Sequence, residues 1–294
     1  MGGAIHLYLV RHGESVDNVA NLFAGSRDAP LTAHGVLQAR RLGTHLAGRA
    51  ASASAGITHI FTSNLQRAHR TAAAVCDAVA ASHPSASSTP GSSQLSTSTA
   101  RAIEVVQLPE LREKHFGTGE GQKIGARAGS GPDRPRHDGA EDQGAMRVRA
   151  ERFVEGYLAP LFACVEADSG DAAESIVVVA HGIILSVLAR VLRAAGNFTS
   201  LGSVPQDHVH FSWSNTGYAE MHITTTPVPG ASKPAPAVRW PGLVLKTVAV
   251  NCTDHLRGLR KTRGGIGSAE FDERQKTINS FFTPSSKKRK HDEA

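Results

Sequence analysis

The sequence predicts an α/β fold, because short apolar runs alternate with longer segments that carry apolar residues on one helical face. The runs at 5–10 and 176–180 are the longest apolar stretches, and their length suits buried strands and is too short to span a membrane. Each run leads into a histidine followed by glycine, at His12-Gly13 and His181-Gly182. Since the carboxyl ends of strands in an α/β sheet face the binding crevice, we expect both imidazoles to point into one site.

The predicted strands and helices follow one another along the chain. The strand at 5–10 precedes a helix that starts near Thr32. The strand at 57–62 precedes a second helix, which Ser63 or Asn64 caps. The later predicted elements are a strand at 103–108, a helix at 146–165, a strand at 175–180, a helix at 183–192, and strands at 216–223 and 243–250.

Three segments lack the apolar pattern of strands and helices. Residues 82–100 are rich in Ser, Thr and Ala, residues 117–140 are rich in Gly, Pro and charge, and residues 227–241 are rich in Pro. The composition of 82–100 buries too little apolar surface to order itself, which predicts a surface insertion. The segment 117–140 is predicted to be a loop, and 227–241 to link the last two strands. We therefore predict one catalytic domain at 1–256, with a low-complexity insertion at 82–100, and a flexible basic tail at 257–294.

The charge of the chain is concentrated near its C-terminal end. The net charge of the 294 residues is +6, whereas residues 255–290 carry ten Lys and Arg against three Asp and Glu, which is +7. The remaining residues sum to −1, so the high isoelectric point describes a basic tail on a nearly neutral body. We expect no direct contact with nucleic acid and no membrane partner.

The three cysteines and the N-terminal residues indicate the compartment. Cys76, Cys164 and Cys252 are widely spaced and form neither a CxxC pair nor a Cys/His metal cluster. The first residues also lack a charged-then-apolar signal pattern. We expect a protein of the cytosol and predict no metal.

Several polar residues at these strand ends fit phosphoryl transfer. His12 can attack phosphorus with a neutral imidazole nitrogen and form a phosphohistidine that water cleaves. Arg11 and Arg67 can fork onto phosphate oxygens, while His181 and Asn18 offer further donors. Asn18 has a plainer interpretation, which is that it caps a turn.

Glu113 is the candidate proton donor to the leaving alkoxide. A general acid near neutral pH needs a carboxyl group that burial or a neighbouring anion keeps protonated. The alternative interpretation is that Glu113 pairs at the surface with Lys114 or Arg112.

These residues stand in motifs that resemble the histidine phosphatase superfamily, also called phosphoglycerate-mutase-like. The matching segments are 11–15 with Asn18, 23–25, 28–32, 63–68, 111–117, and His181 with Gly182. The resemblance implies a three-layer α/β/α sandwich that needs neither metal nor cofactor. It assigns catalysis to Arg11, His12, Arg67, Glu113 and His181, and substrate binding to Arg11, Asn18, Gly25, Arg67, Glu113, His181 and Gly182.

A finer resemblance concerns the substrate. Residues 214–217 and 250–256 resemble TIGAR-type fructose-2,6-bisphosphatases, which makes fructose 2,6-bisphosphate the leading candidate among small phosphorylated metabolites. The stretch between Gly121 and Gly139 is short and Arg-rich compared with mutases. We therefore predict hydrolysis, with phosphoglycerate mutase activity as an alternative.

The tail carries a second signal at residues 275–282. Gln275, Ile278, Phe281 and Phe282 match the pattern by which peptides bind the PCNA-type sliding clamp. A short 3₁₀ turn would place the three apolar side chains on one side as a plug for a hydrophobic pocket. As an alternative to an enzymatic function, the chain is a clamp-binding nuclear adaptor with a passenger phosphatase fold. The alternative for the tail itself is that Ile278, Phe281 and Phe282 fold back onto the body.

The basic run at 287–290 is typical of segments that importin receptors recognise. It predicts nuclear entry, so we expect a cytoplasmic protein, a nuclear protein, or both. The alternative is a solvated tail.

Overall fold

The computed structural model describes residues 3–82, 103–125, 137–167, 173–194, 196–199, 210–225, 238–262 and 265–274. Its strands are β1 (Ala4–Arg11), β2 (Ala55–Ser63), β3 (Val105–Leu108), β4 (Ala173–Ala180), β5 (Tyr218–Thr225) and β6 (Leu243–Cys252). Its helices are α1 (Val16–Val19), α2 (Ala33–Ser52), α3 (Gln66–Ser82), α4 (Gln143–Phe153), α5 (Ala159–Ala167) and α6 (Gly182–Leu192).

The six strands form one sheet in the order β3-β2-β4-β1-β5-β6. The four strands from β3 to β1 run parallel, whereas β5 and β6 run antiparallel to their neighbours at one edge. β1 and β4 are adjacent, and their register pairs Arg11 with Ala180. The residues that follow this pair, His12 and His181, therefore leave the sheet side by side.

Helices cover both faces of the sheet, because the central strands alternate apolar side chains between two cores. In β1, Leu7 and Leu9 pack with the apolar residues of α4, α5 and α6. Tyr8 and Val10 point the other way and pack with α2 and α3. The predicted three-layer α/β/α fold is confirmed.

The predicted helix at 146–165 is a helix with a widened turn in its middle. α4 runs into a π-helical turn at Val154–Leu158 and continues as α5. Val154 and Leu158 are fully buried within this turn, so the extra residue keeps the apolar side facing the sheet. Among the described residues, no helix has both the length and the apolar character that a membrane crossing needs.

The C-terminal region differs from the predicted tail boundary at 256. Residues 257–262 and 265–274 lie against the body, where the N–H of Phe271 donates to the carbonyl of Leu31 at 3.1 Å. Lys261 forms an ion pair with Glu14 at 2.7 Å. These contacts order a segment whose composition alone predicts flexibility, so its basic charge partly neutralises acidic groups of the domain.

Several predicted segments lie outside the described residues. They are the insertion at 82–100 apart from Ser82, the linker at 227–241 apart from 238–241, the clamp-binding pattern at 275–282 and the basic run at 287–290.

Candidate active site

The two strand-end histidines meet at the carboxyl edge of the sheet. The ring centroids of His12 and His181 lie 5.0 Å apart with an angle of 59° between the planes. Both side chains are buried, and the N–H of His12 donates to the carbonyl of Ala180 at 3.0 Å. The parallel pairing of β1 and β4 therefore fixes one imidazole against the other.

The hydrogen bond of His12 selects the tautomer that leaves a nucleophilic nitrogen. Its Nδ1 lies 2.7 Å from the carbonyl oxygen of Gly13. Because a carbonyl only accepts, the proton belongs on Nδ1 and the lone pair on Nε2. Burial, followed by the charges of Arg67 and Arg11, holds the pKa of His12 well below its usual value of 6.5. His12 is thus a neutral imidazole at physiological pH.

The two predicted phosphate-binding arginines are anchored by backbone carbonyls. Arg67 is fully buried, and its two terminal nitrogens donate to the backbone carbonyl oxygens of Arg27 at 2.5 Å and Gly25 at 2.8 Å. Arg11 donates to the carbonyl of Trp213 at 2.7 Å. Burial lowers the pKa of Arg67 to about 10, so its guanidinium stays charged at neutral pH.

Several buried polar atoms of the site have no hydrogen-bond partner in the described structure. They are Nε of Arg11, Nε of Arg67 and both ring nitrogens of His181, four of the nine such atoms that the described residues contain. Buried polar groups normally find partners, and leaving one unpaired costs about 1–3 kcal/mol. Their clustering beside His12 indicates a site made to receive an anion that supplies several acceptor oxygens.

His181 is held in the neutral form by its surroundings. Burial lowers its pKa well below 6.5, and the charge of Arg67 and the neighbouring ring of His12 act in the same direction. A neutral imidazole carries one N–H donor, so His181 can donate to a phosphoryl oxygen without adding positive charge.

Asn18 completes the capping box of α1, whose N-cap is Ser15, and it also contacts the residue that supports His12. Its Oδ1 accepts from the N–H of Ser15 at 3.1 Å and from the side-chain amide of Asn215 at 3.0 Å. Asn215 also donates to the carbonyl of His12 at 3.2 Å. The oxygen of Asn18 is therefore engaged within the protein, and its amide N–H₂ is the group that it offers to a ligand.

Glu113 lies at the N-terminus of α6, next to His181. Its carboxylate accepts from the backbone N–H groups of Lys114 at 2.9 Å, Ile183 at 3.2 Å and Ile184 at 3.2 Å. The charge of Glu113 also raises the pKa of Arg11 and Arg67 against the larger lowering by burial. The alternative of surface pairing with the Lys114 or Arg112 side chain is not what the structure shows. Gly182 is the first residue of α6, beside the same carboxylate.

Arg149 organises the Glu113 segment, and no motif or local pattern of the sequence marks it. It donates to the carbonyls of Glu110 at 2.7 Å and Arg112 at 2.8 Å, and less closely to that of Glu113 at 3.4 Å. Two bonds to Glu141, at 2.6 and 2.8 Å, hold its guanidinium in place. Arg149 is thus a positioning residue for the candidate proton donor.

Thr71 joins the nucleophile loop to α3. Its hydroxyl donates to the carbonyl of Arg67 at 2.7 Å and accepts from the N–H of Gly13 at 3.0 Å. Thr71 follows Arg67 by one helical turn of α3, and the family motif around Arg67 continues to Thr71, although the sequence assigned it no role. The contact ties the carbonyl acceptor of His12 to the helix that carries Arg67.

Two aromatic rings, Phe23 and Phe116, lie beside the loop at 25–27, whose carbonyl oxygens accept from Arg67. Their centroids are 4.8 Å apart. Glu120 holds the two segments together by accepting from the N–H groups of Ser26 at 2.8 Å and Phe116 at 3.2 Å. Gly25 adopts a positive φ of 49°, and a Cβ there would lie 2.3 Å from the Glu120 carboxylate. Glycine is therefore required at the carbonyl that binds Arg67.

Comparison with known proteins gives a family match over most of the chain. The model of the histidine phosphatase superfamily (branch 1) matches residues 7–85 and 94–223. A probable phosphatase of Schizosaccharomyces pombe is 29% identical over 276 residues, which is 93% of this chain and 78% of the relative. The probable phosphoglycerate mutase GpmB of Klebsiella pneumoniae is 31% identical over 63% of this chain and 73% of the relative.

Solved structures share the fold at lower sequence identity. A mycobacterial glucosyl-3-phosphoglycerate phosphatase superimposes with a TM-score of 0.56 at 18% identity, covering 84% of this chain and 98% of that structure. A phosphoglycerate mutase of Bacillus anthracis gives a TM-score of 0.53 at 19% identity, covering 87% of this chain and 96% of that structure.

Proposed function

Because this chain belongs to the histidine phosphatase superfamily, we propose that it hydrolyses a small phosphorylated metabolite through a phosphohistidine on His12. The observation that carries the proposal is the group formed by the buried His12, His181 and Arg67 and the partly buried Arg11, whose unpaired donors surround a neutral imidazole. This arrangement offers a nucleophile and several donors to one tetrahedral oxyanion.

In the first step, Nε2 of His12 attacks phosphorus while the bond from phosphorus to the alcohol oxygen breaks. Arg11, Arg67 and His181 stabilise the charge on the equatorial oxygens, where such fixed donors are most effective. Glu113, an ionised carboxylate in the free site, takes up a proton beside the anionic substrate and gives it to the departing alkoxide. The step leaves phosphohistidine and a free alcohol.

In the second step, water attacks the phosphorus of the phosphohistidine and the bond to Nε2 breaks. The Glu113 carboxylate, now unprotonated, takes a proton from this water. Inorganic phosphate leaves, and His12 and Glu113 return to their starting protonation states. The Nδ1–H bond to Gly13 holds the ring in one orientation through both steps.

Fructose 2,6-bisphosphate is the substrate that we propose first. The two segments that resemble fructose-2,6-bisphosphatases pack on each other, since Asn251 accepts from the N–H of Ser214 at 2.7 Å and His255 contacts the Thr216 hydroxyl at 2.9 Å. Asn215 of the first segment also donates to the carbonyl of His12 at 3.2 Å. These segments therefore support the nucleophile directly, which favours a related substrate.

The test is a substrate panel with sugar bisphosphates, phosphoglycerates and phosphopeptides. The full chain should release phosphate from fructose 2,6-bisphosphate, and rapid acid-free quenching should trap phosphate on His12. The His12→Ala variant should lose turnover by about 10³-fold or more, because the covalent route is then closed. His69→Ala, a partly exposed histidine on α3, is the matched control and should keep activity.

Hydrolysis by His12→Ala at the wild-type rate on every compound would refute the enzymatic proposal. A mutase is the second candidate, since curated relatives carry that name. Conversion of 3-phosphoglycerate to 2-phosphoglycerate at a rate above phosphate release would establish it instead.

We also propose that the tail binds a PCNA-type clamp through residues 275–282. The described segment just before this pattern is anchored, because the N–H of Phe271 donates to the carbonyl of Leu31 at 3.1 Å and Arg40 lies over the Phe271 ring at 5.9 Å. Arg70 and Glu273 pair at 3.3 Å.

Clamp binding should survive His12→Ala and fail with Phe281→Ala/Phe282→Ala, as measured by calorimetry with purified clamp. Equal affinity of the double variant and the wild type would refute the interaction. Nuclear entry through 287–290 is tested separately by the location of a fluorescent fusion before and after Lys287→Ala/Lys288→Ala.

A further inference from the structure

A second group of histidines lies at the opposite end of β1 from the candidate active site. His6 on β1 and His222 on β5 are direct cross-strand partners, and their rings stack with centroids 4.1 Å apart and planes 11° from parallel. Glu220 precedes His222 by two residues on the same strand, so it lies on the same face of the sheet. It is only 2% exposed.

The three side chains bring their donor atoms together. One donor atom each from His6, Glu220 and His222 lie within 4.8 Å of one another, and Nε2 of His222 is 2.9 Å from Oε1 of Glu220. Nδ1 of His6 is buried without a hydrogen-bond partner in the described structure. Two imidazoles and a carboxylate are thus available on a single patch of the sheet.

We propose that His6, Glu220 and His222 bind a divalent transition-metal ion, foremost Zn²⁺. Zinc prefers imidazole nitrogen and carboxylate oxygen at about 2.0–2.2 Å, so two ligand atoms of a tetrahedral site stand about 3.4 Å apart. The widest gap in the trio must therefore close by about 1.4 Å. The stacked rings must also turn so that their in-plane lone pairs converge, which rotation of the partly buried His6 and His222 side chains supplies. Because His6 and His222 are only partly buried, water can complete a tetrahedral site.

The neighbours of the trio orient the carboxylate for this role. Arg49 of α2 holds Oε2 of Glu220 at 2.6 Å and leaves Oε1 facing His222. Tyr8 of β1 lies 3.5 Å from Oε1 through its hydroxyl. Such outer partners fix the orientation of metal-ligating groups. The guanidinium of Arg49 opposes a cation, but its side chain is 43% exposed and can turn toward solvent.

The ion would act on the structure and not on the reaction. His6 precedes His12 by six residues of extended chain, which is about 20 Å. A metal bound by β1 and β5 would cross-link the strand that carries Arg11 to its antiparallel neighbour. It would stabilise the folded state by mass action.

The experiment uses the full chain after chelator treatment and dialysis. Titration with Co²⁺ should give one equivalent with the visible absorption of a tetrahedral site, and Zn²⁺ should displace it. Zn²⁺ at about a hundredfold excess over its dissociation constant should raise Tm by about 5 °C or more. His6→Gln, Glu220→Gln and His222→Asn should lose the Co²⁺ spectrum and the Tm rise, whereas His69→Ala should keep both.

Two results would overturn the proposal. One is a Co²⁺ spectrum of the wild-type chain without tetrahedral bands. This result does not depend on whether any variant folds. The other is retention of the Zn²⁺-dependent Tm rise in Glu220→Gln, shown folded by far-ultraviolet circular dichroism, because the ion would then bind elsewhere on the chain.

Discussion

At the residue scale, the protonation of the two site histidines follows from where they lie. Burial and the charges of Arg67 and Arg11 lower the pKa of both His12 and His181 well below 6.5. We therefore expect neither ring to titrate between pH 8 and 5.5 without ligand. NMR of a ¹³C-histidine-labelled chain checks this, with the peaks assigned by His12→Asn and His181→Asn.

The urea-denatured chain is the reference for that titration, because histidines in an unfolded chain titrate near pH 6.5. A midpoint near 6.5 for the His12 peak in the folded protein would contradict the neutral nucleophile.

The role of Glu113 has a test that separates proton donation from structure. We expect Glu113→Gln to lower kcat by about 10²–10⁴-fold for a sugar phosphate, whose alkoxide needs a proton. For p-nitrophenyl phosphate, whose leaving group is stable without a proton, the loss should be much smaller. Steady-state kinetics on both substrates provide the measurement.

An equal loss of kcat on the two substrates would mean that Glu113 only accepts the N–H bonds at the start of α6 and donates no proton. Arg149→Lys is the companion variant, because it keeps the charge but not the two-pronged bond to Glu141. It should reproduce part of the Glu113→Gln pattern through misplacement of the carboxylate.

At the element scale, the packing of α2 on α3 depends on one glycine. A Cβ at Gly43 would lie 2.3 Å from the carbonyl oxygen of Ala74, so Gly43→Ala should destabilise the fold by about 1–3 kcal/mol. Gly48 lies in the same helix with no atom within 4 Å of its Cβ position. Gly48→Ala should instead stabilise the protein by about 0.5–1 kcal/mol, through helix propensity. Urea denaturation of both variants measures the difference.

Stabilisation by Gly43→Ala would show that the two helices can separate without cost. Destabilisation by Gly48→Ala would contradict the propensity argument in the same experiment.

The sequence predicted the elements that have a simple period, and it missed the features that long-range contacts create. The strands ending at His12 and His181 and the helix of α6 were found, because apolar runs and helical spacing are local signals. The π turn at Val154–Leu158 was missed, since one extra residue within an apolar helix leaves the pattern almost unchanged. The meeting of His12 and His181 could be predicted for the same reason, because both follow strand ends, whereas Glu113 was selected by its resemblance to a family motif.

The positioning contacts of the site could not be predicted. Arg149 lies 36 residues from Glu113, and nothing local marks an arginine of an amphipathic helix as the partner of distant carbonyls. The same holds for Asn215 and the carbonyl of His12, which the fold brings together from opposite halves of the chain.

At the scale of the whole molecule, the buried neutral histidines make stability depend on pH. The pKa of His255 is lowered to about 4 by burial and by neighbouring His45, and burial also holds those of His12 and His181 well below 6.5. Below pH 6.5 the unfolded chain binds protons that the folded chain does not. The free energy of unfolding should thus fall from pH 6.5 to 5, by up to about 1.4 kcal/mol per pH unit for each such histidine.

Urea denaturation at pH 7.5, 6.5, 5.5 and 5 measures this slope. His255→Asn should make it shallower by removing one titrating group, while carboxylates contribute mainly below this range. A free energy of unfolding that is constant or rises on acidification would contradict the expectation.

The body and the tail also divide differently from the prediction. Bulk charge indicated a free basic segment from 257, yet Lys261 pairs with Glu14 and Phe271 contacts Leu31 and Arg40, so part of the segment is attached to the body. Composition describes the average property of a segment, so it does not reveal the single side chains that anchor the segment to the body.

The alignment of Arg11 with Ala180 has a practical consequence for refolding. If β1 slipped along β4 by one residue, His12 would move by about 3.3 Å and its side chain would turn to the other face of the sheet. The circular dichroism spectrum of such a chain would look native, because its strand content is unchanged. The chain would nevertheless be inactive, since His12 is out of place. The activity regained after dilution from urea is therefore a gauge of how many molecules have paired these strands correctly.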